Sequence, residues 1–164
     1  MSLNILYFYC GKMGAGKTTH SRKLASNKNA VIISEDEWLA RLYPDQIETF
    51  DDYLHYSSRL KPLLRGHVAN TLRSGSPVVM DYPANTPKQR QWFVELANHA
   101  NTVARLIYLK ASDELCLQRL ATRRIEQPER AAFDNETVFA AVTRRFQEPS
   151  EQEGIDIQVI EIAP

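Results

Sequence analysis

The sequence predicts an α/β protein, a three-layer sandwich in which a five-stranded parallel sheet lies between two layers of helices. Three observations carry that expectation. Short apolar runs alternate with segments of helical periodicity from one end of the chain to the other. Several runs are rich in Val, Ile and Tyr with little polar alternation, as strands covered on both faces should be. A glycine-rich segment separates the first run from the first helical segment. A chain of 164 residues can bury a sizeable core as one unit, so residues 1–164 are read as a single domain without repeat or linker.

Residues 3–10 form the first apolar run, and Thr19, His20, Ser21, Arg22, Lys23, Leu24 and Ala25 read as the helix after it. Residues 30–33 form the second run. Tyr53, Tyr56, Leu60, Leu63, Leu64, His67, Val68 and Leu72 then recur at helical intervals and mark one apolar stripe on a long helix, which Gly75 and Pro77 end. After the run at 77–80, Trp92, Phe93, Leu96 and Ala97 make a shorter stripe. The fourth run spans 103–109, and Ser112 can cap the next helix, with Asp113 and Glu114 placed favourably in its first turn. Asp134 can cap the last helix, whose stripe is Val138, Phe139, Val142 and Phe146 before Pro149, and residues 155–162 form the fifth run.

Composition narrows the partners. Apolar content of 43% and charged content of 24% suit an ordinary soluble globular protein. Lysines and arginines balance the acidic residues at a formal charge of zero, so no strong field exists for duplex nucleic acid or anionic lipid. The two cysteines, Cys10 and Cys116, lie in apolar stretches without metal-ligand or redox spacing and read as buried free thiols. No apolar run is long enough for a membrane span and no signal peptide is evident, so a cytoplasmic location is expected. His20, His55, His67 and His99 have no partner at ligand spacing and read as structural or surface residues. Trp38 and the Tyr53–Tyr56 pair read as packing aromatics, with stacking on a flat substrate as the alternative.

The chemistry concentrates in Gly11, Lys12, Met13, Gly14, Ala15, Gly16, Lys17 and Thr18, a complete G-x-x-x-x-G-K-[ST] loop, with Thr19 after it. Its context, strand before and helix after, is the one this motif requires. Glycines let successive backbone N–H groups turn towards one anion, and the helix adds the positive end of its dipole. Lys17 can reach the β- and γ-phosphates of a nucleoside triphosphate, and the Thr18 hydroxyl can ligate its magnesium ion. The expected cofactors are therefore ATP and Mg2+.

Ligands of open parallel sheets sit beyond the carboxyl ends of the strands, so the residues immediately after each run are the candidates for a site. Ser34, Glu35, Asp36, Glu37 and Trp38 come after the second, and Asp81, Tyr82, Pro83, Ala84, Asn85 and Thr86 come after the third. Asp81 stands where a carboxylate can hold magnesium. Asp36 is the candidate base for an incoming hydroxyl, the alternative being a helix-start acid interchangeable with Glu35 and Glu37. Arg119 and Arg123 share a helix face, and arginine suits the spread-out charge of a transferring phosphoryl group. Gln127, Pro128, Glu129 and Arg130 interrupt the helical pattern as a mobile cover would, giving a candidate lid at 119–134.

On residues 11–19, on Ser34 to Trp38, on Asp81 to Thr86 with Arg90 downstream, and on Arg119 with Arg123, the chain resembles P-loop kinases of the polynucleotide-kinase and zeta-toxin-like group, including small members labelled AAA-like ATP-binding proteins. The resemblance implies the nucleotide-kinase-like fold of P-loop nucleoside triphosphate hydrolases. It implies Asp36 as the base, Asp81 with Asn85 and Arg90 shaping the acceptor side, Arg123 as the lid arginine on the phosphates, and Arg119 behind it. One departure matters: polynucleotide kinases carry an arginine three residues after the base, where this chain has Leu39, with Arg41 two positions later. The expected partners are accordingly a nucleoside triphosphate and a small hydroxyl-bearing acceptor. Phosphorylation of a nucleic-acid end, or nucleotide-dependent regulation with slow hydrolysis, are the competing readings. A GTPase switch and an AAA+ motor do not fit, because the chain lacks the D-x-x-G turn, the N-K-x-D motif and room for a helical subdomain.

Overall fold

The computed structural model describes residues 4–164, so Leu3, the expected first residue of the first strand, lies outside the described residues. Five strands, β1 (Ile5–Cys10), β2 (Val31–Ser34), β3 (Val78–Pro83), β4 (Val103–Lys110) and β5 (Asp156–Glu161), form one sheet in the order β2-β3-β1-β4-β5. All four pairings are parallel. Six α-helices connect or flank them: α1 (Lys17–Lys28), α2 (Glu35–Leu42), α3 (Phe50–Arg73), α4 (Pro87–His99), α5 (Asp113–Glu126) and α6 (Glu136–Arg145).

Strand β1 shows why the sheet is covered on both sides. Leu6, Phe8 and Cys10 enter one apolar cluster with Leu60, Leu64 and Leu72 of α3 and Phe93 and Leu96 of α4. Tyr7 and Tyr9, on the opposite face, enter a second with Ala25 of α1 and Cys116 and Leu120 of α5. Edge strand β5 is less enclosed, and its Val159 is exposed. The expected three-layer α/β sandwich is the fold observed.

Two local expectations need correction. Leu63, expected in the buried stripe of α3, is 68% exposed, because the packed face of that helix runs through Leu60, Leu64, Val68 and Leu72. Asp134 does not cap α6. Asn135 does, with its Oδ1 accepting from Val138 N–H at 2.9 Å, which leaves the Asp134 carboxylate for another use.

Register positions the site. Pairing of β2 with β3 sets Ser34 beside Asp81, and pairing of β1 with both β3 and β4 places the loop after Cys10 at the centre of the carboxyl edge. Residues 34–38, 81–86 and 11–18 thereby converge, as expected for a doubly wound sheet.

Candidate active site

The loop from Gly11 to Thr18 is held by backbone conformations that its glycines allow. Gly14 has φ +80°, and a β-carbon there would lie 2.6 Å from the Cys116 carbonyl oxygen, so α5 packs directly under the turn. Gly16 caps α1 with φ +100°. The Lys17 ammonium donates to the carbonyls of Gly11 at 2.6 Å and Lys12 at 3.0 Å, so it is folded over the concavity the loop encloses. Burial lowers its pKa, against the opposing pull of the Asp81 carboxylate. The Lys12 side chain points outward to Asp113 at 2.5 Å. Ala15 is buried, while Met13 packs against the cluster on the α1 side of the sheet. Thr19 is exposed on α1.

Thr18 and Asp81 meet. The Thr18 hydroxyl donates to Asp81 Oδ2 at 2.9 Å, and Ser34 Oγ donates to the same oxygen at 3.4 Å. Burial raises the Asp81 pKa, against the Thr18 hydrogen bond, with the nearby Asp36 charge pushing the same way as burial. Two hard oxygen donors side by side beneath a phosphate loop fit magnesium's ligand preference. Among the described residues no group of three or more His, Cys, Asp or Glu side chains is arranged to hold a metal.

Asp36 is exposed in the first turn of α2. Its neighbour Glu35 is not interchangeable with it. Glu35 is 2% exposed, accepts hydrogen bonds from the hydroxyls of Tyr53 and of Ser57 (the latter at 2.6 Å), and ties α2 to α3. Burial pushes its pKa up to about 7 despite the Ser57 bond. Tyr53, Tyr56 and Trp38 pack against the apolar cluster of the α3 side. Leu39, at the position where the resembling kinases carry an arginine, is buried in that cluster and does not face the cleft.

Two expectations for the acceptor side do not fit this geometry. Arg90 is 0% exposed, with its guanidinium on Glu153 (two bonds of 2.7 Å) and on the Ala84 carbonyl at 3.0 Å. Asn85 is buried, and its Oδ1 accepts from the Gly11 N–H at 3.0 Å, so it braces the phosphate loop. A buried arginine needs such saturation, which is why its donors turn inward. The arginines of α5 are also arranged otherwise than expected. Arg119 reaches the loop, donating to the Ala15 carbonyl at 3.1 Å. Arg123 binds Asp134, with Nε 2.5 Å from Oδ2 and Nη2 2.7 Å from Oδ1. Arg130 joins the same carboxylate at 2.9 Å. Residues Leu115, Arg119, Thr122, Arg123 and Pro164 line a shallow hollow of about 420 Å³ along α5. Glu35 and Asp134 are the residues whose importance the sequence pattern hid, since only their burial distinguishes them from surface acids.

The profile of the AAA domain family (AAA_33) matches residues 6–149. The chain belongs to this AAA domain family. A search of curated proteins by sequence finds no match. Among solved structures, the chain is similar to a Chloroflexus aurantiacus protein provisionally described as a kinase, at 18% identity over 98% of this chain and 89% of that one, with a TM-score of 0.74. It is similar to Chaetomium thermophilum Kti12 in complex with ADP-AlF3, at 18% identity, 96% and 88% coverage and a TM-score of 0.68. It is also similar to Acinetobacter baumannii shikimate kinase in complex with shikimate, at 23% identity, 99% and 86% coverage and a TM-score of 0.62. At these identities the likeness is one of fold, and that fold is the three-layer α/β sandwich of P-loop proteins that the sequence predicted. Among the described residues no helix is long and apolar enough to cross a membrane.

Proposed function

We propose that the protein is an ATP-dependent phosphotransferase that moves the γ-phosphoryl group of ATP to a hydroxyl of a small-molecule acceptor. The observation that carries this reading is the convergence of the phosphate loop, the Thr18–Asp81 oxygen pair at 2.9 Å and the exposed Asp36 carboxylate at the carboxyl ends of three adjacent strands.

In this reading Lys17 leaves the carbonyls of Gly11 and Lys12 for the β- and γ-phosphates, and the loop amides enclose them. Arg119 borders the hollow that offers a place for the nucleoside. Thr18 and Asp81 would hold magnesium, which when bound neutralises charge between the terminal phosphates. Residues 119–134 act as the lid. The acceptor oxygen bonds to the γ-phosphorus while the bond from that phosphorus to the β–γ bridging oxygen breaks; the hydroxyl proton passes to Asp36 and ADP leaves. Zero net charge and the buried Leu39 argue for a small acceptor over a nucleic-acid end.

The test is labelled phosphate transfer from ATP with magnesium to a panel of hydroxyl-bearing metabolites and antibiotics, with a 5′-hydroxyl oligonucleotide alongside. On the acceptor found, Asp36→Asn should cut transfer by about 10²-fold or more while ATP affinity stays within a few-fold. Equal rates for variant and parent would remove Asp36 as the base. Lys17→Ala should weaken triphosphate binding in calorimetry, and a parent that ignores millimolar ATP with magnesium would overturn the whole reading.

A further inference from the structure

Helix α2 has eight residues, of which Glu35 and Leu39, one turn apart on its inner face, are buried. Leu39 enters the apolar cluster that holds Leu60 and Leu64 of α3, as the inner face of an amphipathic helix should. Glu35 places a carboxyl group where that pattern calls for a second apolar residue. Each of its oxygens has one partner on α3: Oε1 accepts from the Tyr53 hydroxyl, and Oε2 from the Ser57 hydroxyl at 2.6 Å. Tyr53 and Ser57 are themselves one turn apart, so two hydroxyls on one face of α3 grip one side chain of α2. A buried carboxyl group costs desolvation that an apolar side chain avoids. What it supplies is direction: hydrogen bonds fix the rotation of α2 about its own axis, which non-directional apolar contact does not.

That rotation bears on the neighbouring residue. Asp36 is exposed, and its direction is set by the helix turn that carries it. Two residues earlier, the Ser34 hydroxyl reaches Asp81 Oδ2 at 3.4 Å, and the same oxygen accepts from Thr18 at 2.9 Å, so α2 starts beside the Thr18–Asp81 pair. The first turn of α2 is thereby held on two sides, by Ser34 to the end of the sheet and by Glu35 to α3. Misplacing a reacting group by about 1 Å costs on the order of 10²-fold in rate, so the second anchor has a consequence for chemistry as well as for packing.

We propose that Glu35 is a positioning residue: held by the Tyr53 and Ser57 hydroxyls, it fixes the rotation of α2 and so aims the Asp36 carboxylate at the acceptor hydroxyl. Glu35 touches neither nucleotide nor acceptor; it acts through Asp36. The proposal rests on the phosphotransferase reading above and deepens it by naming the group that orients its base.

The test measures transfer of labelled γ-phosphate from MgATP to water and to the hydroxyl-bearing panel above. It compares the parent, Glu35→Gln, Glu35→Ala and Tyr53→Phe/Ser57→Ala, each also with Asp36→Asn added. Glutamine keeps an acceptor for one hydroxyl and a donor for the other, so Glu35→Gln should stay within about threefold of the parent. Glu35→Ala and Tyr53→Phe/Ser57→Ala should lower kcat by about tenfold or more with KM for MgATP within about twofold, because the phosphate loop is untouched. With Asp36→Asn present, neither should lower kcat further, because the group through which Glu35 acts is gone. A second readout needs no acceptor. Trp38, two residues beyond Asp36, is half-buried, and Trp92→Phe leaves it the sole tryptophan. In that background iodide quenching of Trp38 should rise in Glu35→Ala and in Tyr53→Phe/Ser57→Ala, and stay at the parent value in Glu35→Gln. If Glu35→Ala does not fold, the Tyr53→Phe/Ser57→Ala variant decides. Unchanged kcat or unchanged quenching in that variant, a loss of kcat in Glu35→Gln equal to that of the others, or a further loss on top of Asp36→Asn would overturn the proposal and leave the phosphotransferase reading standing. A parent that transfers phosphate to neither water nor any member of the panel would overturn both.

Discussion

Replacing Glu35 by glutamine isolates the energetic consequence of burying a carboxyl group where α2 meets α3. Glu35 titrates near 4.5 in an unfolded chain and, enclosed with Tyr53 and Ser57, at about 7 in the folded protein. A folded pKa above the unfolded one means that between these values the native state keeps a proton the unfolded state releases. Its stabilising contribution is therefore complete below pH 4.5 and is lost as pH rises to about 7. At 1.36 kcal/mol per unit, the gap of roughly two and a half units corresponds to about 3 kcal/mol across that window. Asp81, also raised by burial, acts with the same sign, whereas Asp134 and Glu153, lowered in the fold, act with the opposite sign. The difference between parent and Glu35→Gln cancels these contributions. Chemical denaturation of both proteins from pH 4 to pH 9 should give an advantage to the variant that grows by about 3 kcal/mol between pH 4.5 and 7 and is flat outside that range. A difference independent of pH would refute the argument, for it would mean that Glu35 titrates in the fold as it does in the unfolded chain.

Arg90→Ala should destabilise the protein by about 3–5 kcal/mol in urea unfolding, since it strands the buried Ala84 carbonyl, leaves the half-buried Glu153 carboxylate without its partner and empties a fully buried site; a loss under about 1 kcal/mol would mean that the pair contributes no more than a surface ion pair. Gly14→Ala forces a β-carbon to 2.6 Å from the Cys116 carbonyl at a φ of +80°. Nucleotide affinity should consequently fall by at least about tenfold in calorimetry. Cys10 and Cys116 are free and buried, and burial pushes the Cys10 pKa up to about 11. A chromogenic thiol reagent at pH 8 should accordingly react within minutes only after denaturation, and then at two thiols.

Much of this molecule was legible before folding was considered. The alternation of apolar runs and helical stripes specified the sheet, because a strand covered on both faces and a helix covered on one impose different spacings on hydrophobic residues. The phosphate loop was legible because its geometry is local: eight consecutive residues supply the amides, the turn and the cation. The expectation that Asp81 directly follows the third strand was close: β3 runs on to Pro83, so Asp81 lies within its last three residues, and its bond to Thr18 follows from strand order.

Side-chain partners were not legible in that way. Arg90 finds Glu153 at a separation of 63 residues, and Gly11 finds Asn85 at 74; no periodicity encodes such pairings. Arg119 and Arg123 share a helix face, yet one docks on the loop and the other on Asp134, a choice made by where residues 127–134 return to α5. Glu35 and Asp36 are adjacent acids in sequence, and only the packing of α3 buries the first and leaves the second exposed. The chain by itself determined the fold and the phosphate loop, which depend on local spacing and on the burial of apolar area. Tertiary structure decided which charges are spent inside the protein and which stay available for a ligand, because desolvation is a property of the assembled surroundings and not of any residue alone.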